Sequence, residues 1–117
     1  MISLCHISAP EARISYELNV IKNNSKPIPL YKIFLDWAQK NKSDGIIVGA
    51  TYPDIIKFCK KKVGRKMQIY SPGVGTQGGN ASKARHLGAD FLIVGRTILN
   101  AKNPIQVAKK LATDSIL

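Results

Sequence analysis

Short apolar runs alternate with helix-like segments along the chain, and no other feature of the sequence restricts the possible fold as strongly. The runs cover residues 2–5, 45–48, 67–70 and 91–94. Each is mostly apolar at consecutive positions, which is typical of strands that are buried on both faces of a parallel sheet. The segments between the runs carry helical signals. The sequence therefore predicts an α/β fold with four βα units on a parallel sheet.

The clearest helix starts near Pro29, a residue that suits the first turn of a helix. Its apolar positions have the spacing of one helix face: Leu30, Ile33, Phe34, Trp37 and Ala38. Further helices are predicted over residues 9–22, 51–64, 80–87 and 103–112. In the second of these we expect Thr51 to cap the start together with Asp54.

Two of the apolar runs resemble each other. Residues 44–51 and 90–97 share Asp, Ile, Val, Gly and Thr at matching places. The offset between them is too long for a solenoid repeat. The similarity indicates two strands that occupy equivalent positions in the fold.

The length suits one domain, and we treat residues 1–117 as a single unit. No apolar run approaches the roughly 18 residues that cross a bilayer, so we expect no membrane association. Cys5 and Cys59 are far apart and lack the spacing of a metal site, so we predict two core thiols and no bound metal. The first residues do not resemble a secretory leader, and a cytoplasmic protein is expected.

Basic residues exceed acidic ones by 18 to 7, which gives a formal net charge of +11. Such an excess suits an anionic partner, such as nucleic acid, an acidic protein or a phosphorylated small molecule. Much of it lies in residues 57–66, at the end of a predicted helix, where cations also complement the helix dipole. A solvated face is the preferred interpretation of that run. Nucleic acid is not expected, because no aromatic platform, helix-turn-helix spacing or RNA-binding signature accompanies the charge.

A glycine-rich loop follows the third apolar run. Residues 71–79 read Ser-Pro-Gly-Val-Gly-Thr-Gln-Gly-Gly, and residues 94–97 after the fourth run read Val-Gly-Arg-Thr. Taken alone, the glycines favour a tight connection. Barrels of eight βα units, however, commonly bind phosphate with the loops after their last two strands. Together, the loop and Arg96 predict a phosphate site.

These residues resemble the phosphate-binding signature of the orotidine 5′-phosphate decarboxylase family, in its archaeal and bacterial form. The resemblance covers the whole chain loosely and residues 67–105 specifically, and the latter is the predicted phosphate-binding portion. It implies a TIM (βα)₈ barrel of which this chain supplies half, strands 5 to 8 with their helices. The family reaction converts orotidine 5′-phosphate into uridine 5′-phosphate and carbon dioxide, a step of pyrimidine biosynthesis, without metal or organic cofactor.

The resemblance also assigns site residues. Gln77, Gly95 and Arg96 would hold the phosphate of the nucleotide. Pro72 and Val74 would line the pyrimidine pocket, and Ser8 would contact the pyrimidine edge. For Ser8 an alternative stays open, since a serine before Pro-Glu also suits a helix cap.

The catalytic signature of the family is missing from the sequence. That signature is a Lys/Asp cluster with a D-x-K-x-x-D segment, which belongs to the first half of the barrel. The nearest approach here is Asp54 with Lys57, in a predicted helix. We therefore predict no catalytic residues in this chain and no decarboxylation by the chain alone.

A half-barrel would leave two sheet edges and an apolar face uncovered. The sequence therefore predicts a homo-oligomer, such as a dimer, or a complex with an N-terminal half-barrel. The expected ligand is a nucleotide monophosphate or a phosphate ion. The alternative function is a non-catalytic half-barrel that binds phosphorylated ligands or associates with itself.

Overall fold

The computed structural model describes residues 1–116. The strands in this part of the chain are β1 (Ile2–His6), β2 (Asn19–Val20), β3 (Ile28–Pro29), β4 (Gly45–Val48), β5 (Gln68–Pro72) and β6 (Phe91–Ile93). The α-helices are α1 (Leu30–Lys40), α2 (Pro53–Val63), α3 (Ala81–His86), α4 (Arg96–Leu99) and α5 (Pro104–Asp114). A 3-10 helix, Pro10–Ile14, follows β1.

The main sheet is parallel and its strands lie in the order β1-β4-β5-β6. Ile46 is in register with Ser3 on one side and with Ile69 on the other. The strands of this sheet that follow one another along the chain are therefore also neighbours in the sheet, as in a barrel. The predicted parallel βα architecture is confirmed, and β2 and β3 form a separate antiparallel pair.

The hydrophobic core lies between the sheet and its helices. It contains Cys5, Ile46, Val48 and Ile69 from the strands, all fully buried, and Leu35 from α1. Cys59 of α2 is also fully buried with a free thiol, as predicted. One side of the sheet is thus closed by helices.

The opposite face of the sheet is partly open. Leu4 of β1 is 46% exposed, and Phe91 and Ile93 of β6 are each 47% exposed. The prediction of strands buried on both faces is therefore wrong for β1 and β6. Both are edge strands of an unclosed sheet, so their side chains on this face have no opposing layer.

The predicted helix over residues 9–22 is wrong. After the short 3-10 helix the chain turns and enters β2. Ile14, Leu18 and Ile21 are exposed, while only Ala12 of the predicted apolar face is buried. A helix of this length is marginal unless an apolar face packs, and here that face has no surface to cover.

Thr51 does not cap a helix as predicted. Tyr52 occupies the N-terminal cap of α2 and makes no side-chain capping bond. The Thr51 hydroxyl instead donates to the carbonyl oxygen of Ser8 at 2.8 Å. By contrast, Asn80 and Asn103 cap α3 and α5 by accepting hydrogen bonds from backbone N–H groups.

None of the helices within residues 1–116 combines the length and the apolarity that a bilayer crossing needs.

Candidate functional site

The predicted site residues lie at one edge of the sheet. β1 ends just before Ser8, β5 ends at Pro72, and β6 ends two residues before Gly95. All strands of the sheet run in the same direction, so these segments follow carboxyl ends at the same edge. This is the edge at which open and closed α/β sheets bind their ligands.

The loop over residues 73–79 folds back on itself. Gly79 N–H donates to Gly73 carbonyl at 3.0 Å, and Gly75 N–H donates to Gly79 carbonyl at 2.9 Å. Gly73 has a φ of +94°, and a Cβ there would lie 2.4 Å from the Cβ of Ser8. Glycine at position 73 is therefore required both by the backbone conformation and by the close approach of Ser8.

Ser8 and Gln77 meet across this loop. The Ser8 hydroxyl donates to Gln77 Oε1 at 2.8 Å. This bond leaves the two N–H donors of Gln77 Nε2 available for another acceptor. The helix-capping alternative for Ser8 is not realised, because Ala9 stands at the cap of the 3-10 helix and no side chain bonds there.

Thr97 fastens the other side of the loop. Its hydroxyl donates to the carbonyl oxygen of Val74 and accepts from the N–H of Thr76, each at 2.9 Å. A Cβ at Gly75 would lie 2.5 Å from Thr97 Oγ1, so the contact is close. Thr97 connects the glycine-rich loop to the residues that follow β6.

Thr97 was not among the site residues predicted from the sequence, although the internal repeat contained the signal. Thr97 matches Thr51 in the two similar segments, and both hydroxyls donate to a carbonyl oxygen of the loop after the preceding strand of the sheet. The matched positions therefore have matched roles. In each segment, the threonine that directly follows Gly-x holds the loop after the neighbouring strand in place.

Gly95 and Arg96 are both exposed and border the loop through Thr97. Gly95 carbonyl accepts from the N–H groups of Ile98 and Leu99, so the short helix α4 starts there. N–H groups in a first helical turn have no acceptor within the helix. A Cβ at Gly95 would meet nothing within 4 Å, so the backbone here is open to solvent.

Pro72 and Val74 differ in exposure. Pro72, the last residue of β5, is partly exposed, and its carbonyl oxygen accepts from Ala50 N–H at 2.7 Å. Val74 is 4% exposed and belongs to the hydrophobic core. Its side chain fixes the base of the loop, while its backbone lies at the site.

Two ion pairs lie at the opposite edge of the sheet from this site. Asp90 precedes β6 and accepts from Lys60 Nζ at 2.9 Å, and Asp44 precedes β4 and accepts from the N-terminal ammonium. Both carboxylates are thus at the amino ends of strands. Within residues 1–116 no three His, Cys, Asp or Glu side chains are grouped as a metal site.

The chain is similar in sequence to known proteins of one family. Residues 2–111 match the model of the orotidine 5′-phosphate decarboxylase / HUMPS family. Orotidine 5′-phosphate decarboxylase of Pyrococcus furiosus is 37% identical over 83 residues, which are 71% of this chain and 39% of the relative. The enzyme of Methanosarcina barkeri is 44% identical over 70 residues, 60% of this chain and 32% of the relative.

Solved structures agree with these sequence matches. Orotidine 5′-monophosphate decarboxylase from Methanocaldococcus jannaschii, complexed with the inhibitor BMP, superposes with a TM-score of 0.81 at 26% identity. The match covers 99% of this chain and 49% of that one. The enzyme from Pyrococcus horikoshii gives a TM-score of 0.76 at 32% identity, with 97% and 50% coverage. The chain therefore spans about half the length of these solved relatives, which is the extent of half a barrel.

Proposed function

The chain belongs to the orotidine 5′-phosphate decarboxylase / HUMPS family, and from this we propose that it is the phosphate-binding half of an orotidine 5′-phosphate decarboxylase. The convergence of three segments carries the proposal. The loop over residues 73–79 is hydrogen-bonded to Ser8 through Gln77 on one side and to Thr97 on the other. A ligand at this edge would meet all three segments at once.

The phosphate would be held by groups that have no other task. The Arg96 guanidinium offers paired donors that match phosphate oxygens. The N–H groups of Gly95 and Arg96 and the free amide nitrogen of Gln77 would add neutral donors. In this arrangement the charge of the phosphate is met by one cation and several oriented dipoles.

The pyrimidine would lie beside the phosphate. Ser8 would contact its edge, and Pro72 would form part of the wall. Val74 would contribute by fixing the wall, because its side chain packs into the core. Binding energy gained from a non-reacting phosphate can support chemistry elsewhere on the same substrate, which is the role we assign to this half.

Decarboxylation would need the other half of the barrel. The sequence has no D-x-K-x-x-D segment. The carboxylates of Asp44 and Asp90 lie at the opposite edge of the sheet from Ser8 and Gln77. We therefore propose that the isolated chain binds nucleotide and does not turn over orotidine 5′-phosphate.

A partner is part of the proposal. The exposed apolar residues of β1 and β6 favour either association with an N-terminal half-barrel or a homo-oligomer. A non-catalytic half-barrel that associates with itself is the second candidate function, and the same exposed face supports it. The two free buried thiols accord with a reducing compartment such as the cytoplasm.

The experiment compares uridine 5′-phosphate with uridine in binding titrations of the 117-residue chain. We expect binding of the nucleotide and none of the nucleoside, because the phosphate supplies most of the contacts. A parallel assay follows loss of orotate absorbance with orotidine 5′-phosphate. Turnover of about 1 s⁻¹ or faster would contradict the proposed inactivity, and equal affinity for uridine would contradict the phosphate site.

A further inference from the structure

His6 is a buried titratable residue that the proposed site does not use. It is the last residue of β1, two positions before Ser8, and it is fully buried. Three tyrosine rings surround it, those of Tyr16, Tyr31 and Tyr52, with centroid separations of 5.7, 5.8 and 4.5 Å. A buried imidazole is normally neutral unless a partner stabilises its charge.

Both ring nitrogens of His6 face acceptors. Nδ1 lies 2.8 Å from the carbonyl oxygen of Ile7, and Nε2 lies 3.2 Å from Glu17 Oε1. A carbonyl oxygen and an ionised carboxylate can only accept hydrogen bonds, and a neutral imidazole has a single N–H. Both contacts are hydrogen bonds only if the ring carries two protons. Glu17 keeps a third of its side chain exposed to water, which favours the ionised carboxylate.

We propose that His6 is a buried imidazolium, paired with Glu17, and that this pair positions Ser8 for its bond to Gln77. The pair joins the end of β1 to residue 17, and Ser8 lies in the segment between them. The backbone of that segment is also held by Thr51, which donates to Ser8 carbonyl, and by Tyr52, which donates to Ala9 carbonyl. The positioning role rests on the function proposed above, whereas the charge state does not.

His6 and Glu17 carry the charges of the proposed pair. The other titratable groups near them are tyrosine phenols, two thiols, one guanidinium and one carboxylate. Burial raises the pKa of the Tyr31 phenol, and Cys59 and Glu17 add to the rise. The thiols of Cys5 and Cys59 stay protonated, since burial raises the pKa of each to about 12. Arg13 and Asp54, which carry opposite charges, line the cavity beside Glu17.

The sign of the pH dependence follows from the proton count. The charge pair exists while the ring holds two protons, and it is lost when rising pH removes one of them. Ser8 would then lose one of its supports on the alkaline side. Nucleotide affinity should fall accordingly, by about threefold to tenfold, the usual net contribution of one hydrogen bond.

Nitrogen NMR of the imidazole rings tests the charge state directly. The chain has two histidines, and His86→Gln identifies the His6 signals by elimination. His86 is a suitable variant because its ring is exposed and bonds only within α3 in the described structure. At pH 6 we expect both His6 nitrogens to show the shifts of protonated positions. A single neutral tautomer at that pH would overturn the proposal.

Glu17→Gln tests the positioning role. The carboxamide can donate to a neutral Nε2, so this variant satisfies both contacts without charge. Uridine 5′-phosphate is titrated into wild type, Glu17→Gln and the control His86→Gln from pH 6 to pH 8.5. The ratio between proteins at each pH cancels the titration of the ligand's own phosphate.

Affinity should fall with pH in wild type and His86→Gln, relative to Glu17→Gln. Parallel profiles in all three proteins would overturn the positioning role. Absence of nucleotide binding in every protein would instead contradict the proposed function, and the NMR result would still decide the charge state.

Discussion

At the scale of single residues, the proposed phosphate site depends on the guanidinium of Arg96. Arg96 is exposed, and none of the ion pairs within residues 1–116 includes it. Its position next to Thr97 brings it to the glycine-rich loop. Lys61, in contrast, is exposed in the last turn of α2. The two cations allow a direct comparison.

Arg96→Ala should weaken binding of uridine 5′-phosphate by about 1.5–3 kcal/mol, the value of hydrogen bonds to a charged group. Lys61→Ala should change affinity little, because an exposed distant charge acts only through a screened field. Calorimetric titration of both variants measures the difference. Equal losses would indicate a diffuse basic surface in place of a phosphate site.

The two cysteines predict sensitivity to alkali. Burial raises the pKa of Cys5 and of Cys59 to about 12 in the folded chain, whereas an unfolded thiol has a pKa of about 8.5. The folded state therefore holds these protons more tightly, and the stability that this provides is present below about pH 8.5 and is lost as pH rises towards 12.

Denaturant midpoints measured from pH 7 to pH 11 should fall above about pH 9. The matched control is Cys59→Ala, in which the slope on the alkaline side should be shallower. An alkaline slope unchanged by this substitution would contradict the assignment to the thiols.

At the scale of elements, the glycine-rich loop can be tested with two of its own glycines. Gly73 and Gly78 both have positive φ, at +94° and +89°. A Cβ at Gly73 would collide with Ser8, whereas a Cβ at Gly78 meets nothing within 4 Å. Alanine substitutions at these two glycines therefore separate the effect of backbone strain from the effect of steric contact with Ser8.

Both Gly73→Ala and Gly78→Ala should lower stability by about 1–3 kcal/mol through backbone strain. Only Gly73→Ala should also displace Ser8 and reduce nucleotide affinity. Thermal unfolding measures the first effect and a nucleotide titration the second. If Gly78→Ala reduced affinity as much as Gly73→Ala, the contact with Ser8 would not be the cause.

The elements that the sequence predicted correctly are those with local signals. Gly45–Val48 is a continuous apolar run with a glycine at its start, and Asn80 and Asn103 are side chains that cap helices by chemistry within three residues. The segment over residues 9–22 had helical spacing, but its apolar face had nothing to pack against. Local pattern could not reveal that, because the surface available to a helix is set by the remainder of the fold.

The site was predictable in part for the same reason. The loop over residues 73–79 and Arg96 were visible as a motif. The fastening of that loop by Thr97 joins residues 21 and 23 positions apart, so it required the sheet to be assembled. Its trace in the sequence was the match between Thr51 and Thr97, which indicated equivalent places without indicating what the threonines bind.

At the scale of the whole molecule, the sheet is not closed. The radius of gyration is 15.0 Å and the principal extents are 54 × 29 × 22 Å, against about 13 Å expected for a compact domain of this length. The strands β1 and β6 are edges of the sheet. The shape is that of a curved wall with helices on one side.

We expect the chain to form dimers or larger species in sedimentation at micromolar concentration, because the open face is apolar and its edges are unpaired. A double variant, Leu4→Lys with Ile93→Lys, should shift the chain towards monomer. Ile105→Lys, on an exposed position of α5, is the control and should not. A monomeric wild type that binds no apolar dye would contradict this expectation.

The unequal fastening of the glycine-rich loop has a kinetic consequence. Thr97 Oγ1 holds one side through three hydrogen-bond contacts, with the Val74 carbonyl, the Thr76 N–H and the Thr76 hydroxyl, while Ser8 holds the other side with a single bond to Gln77. One bond between uncharged groups contributes about 0.5–1.5 kcal/mol net, so thermal motion would break it in roughly a tenth to a third of the molecules at any moment. The loop would then swing about the Thr97 side, and the rate at which nucleotide associates and leaves would be governed by the Ser8 side.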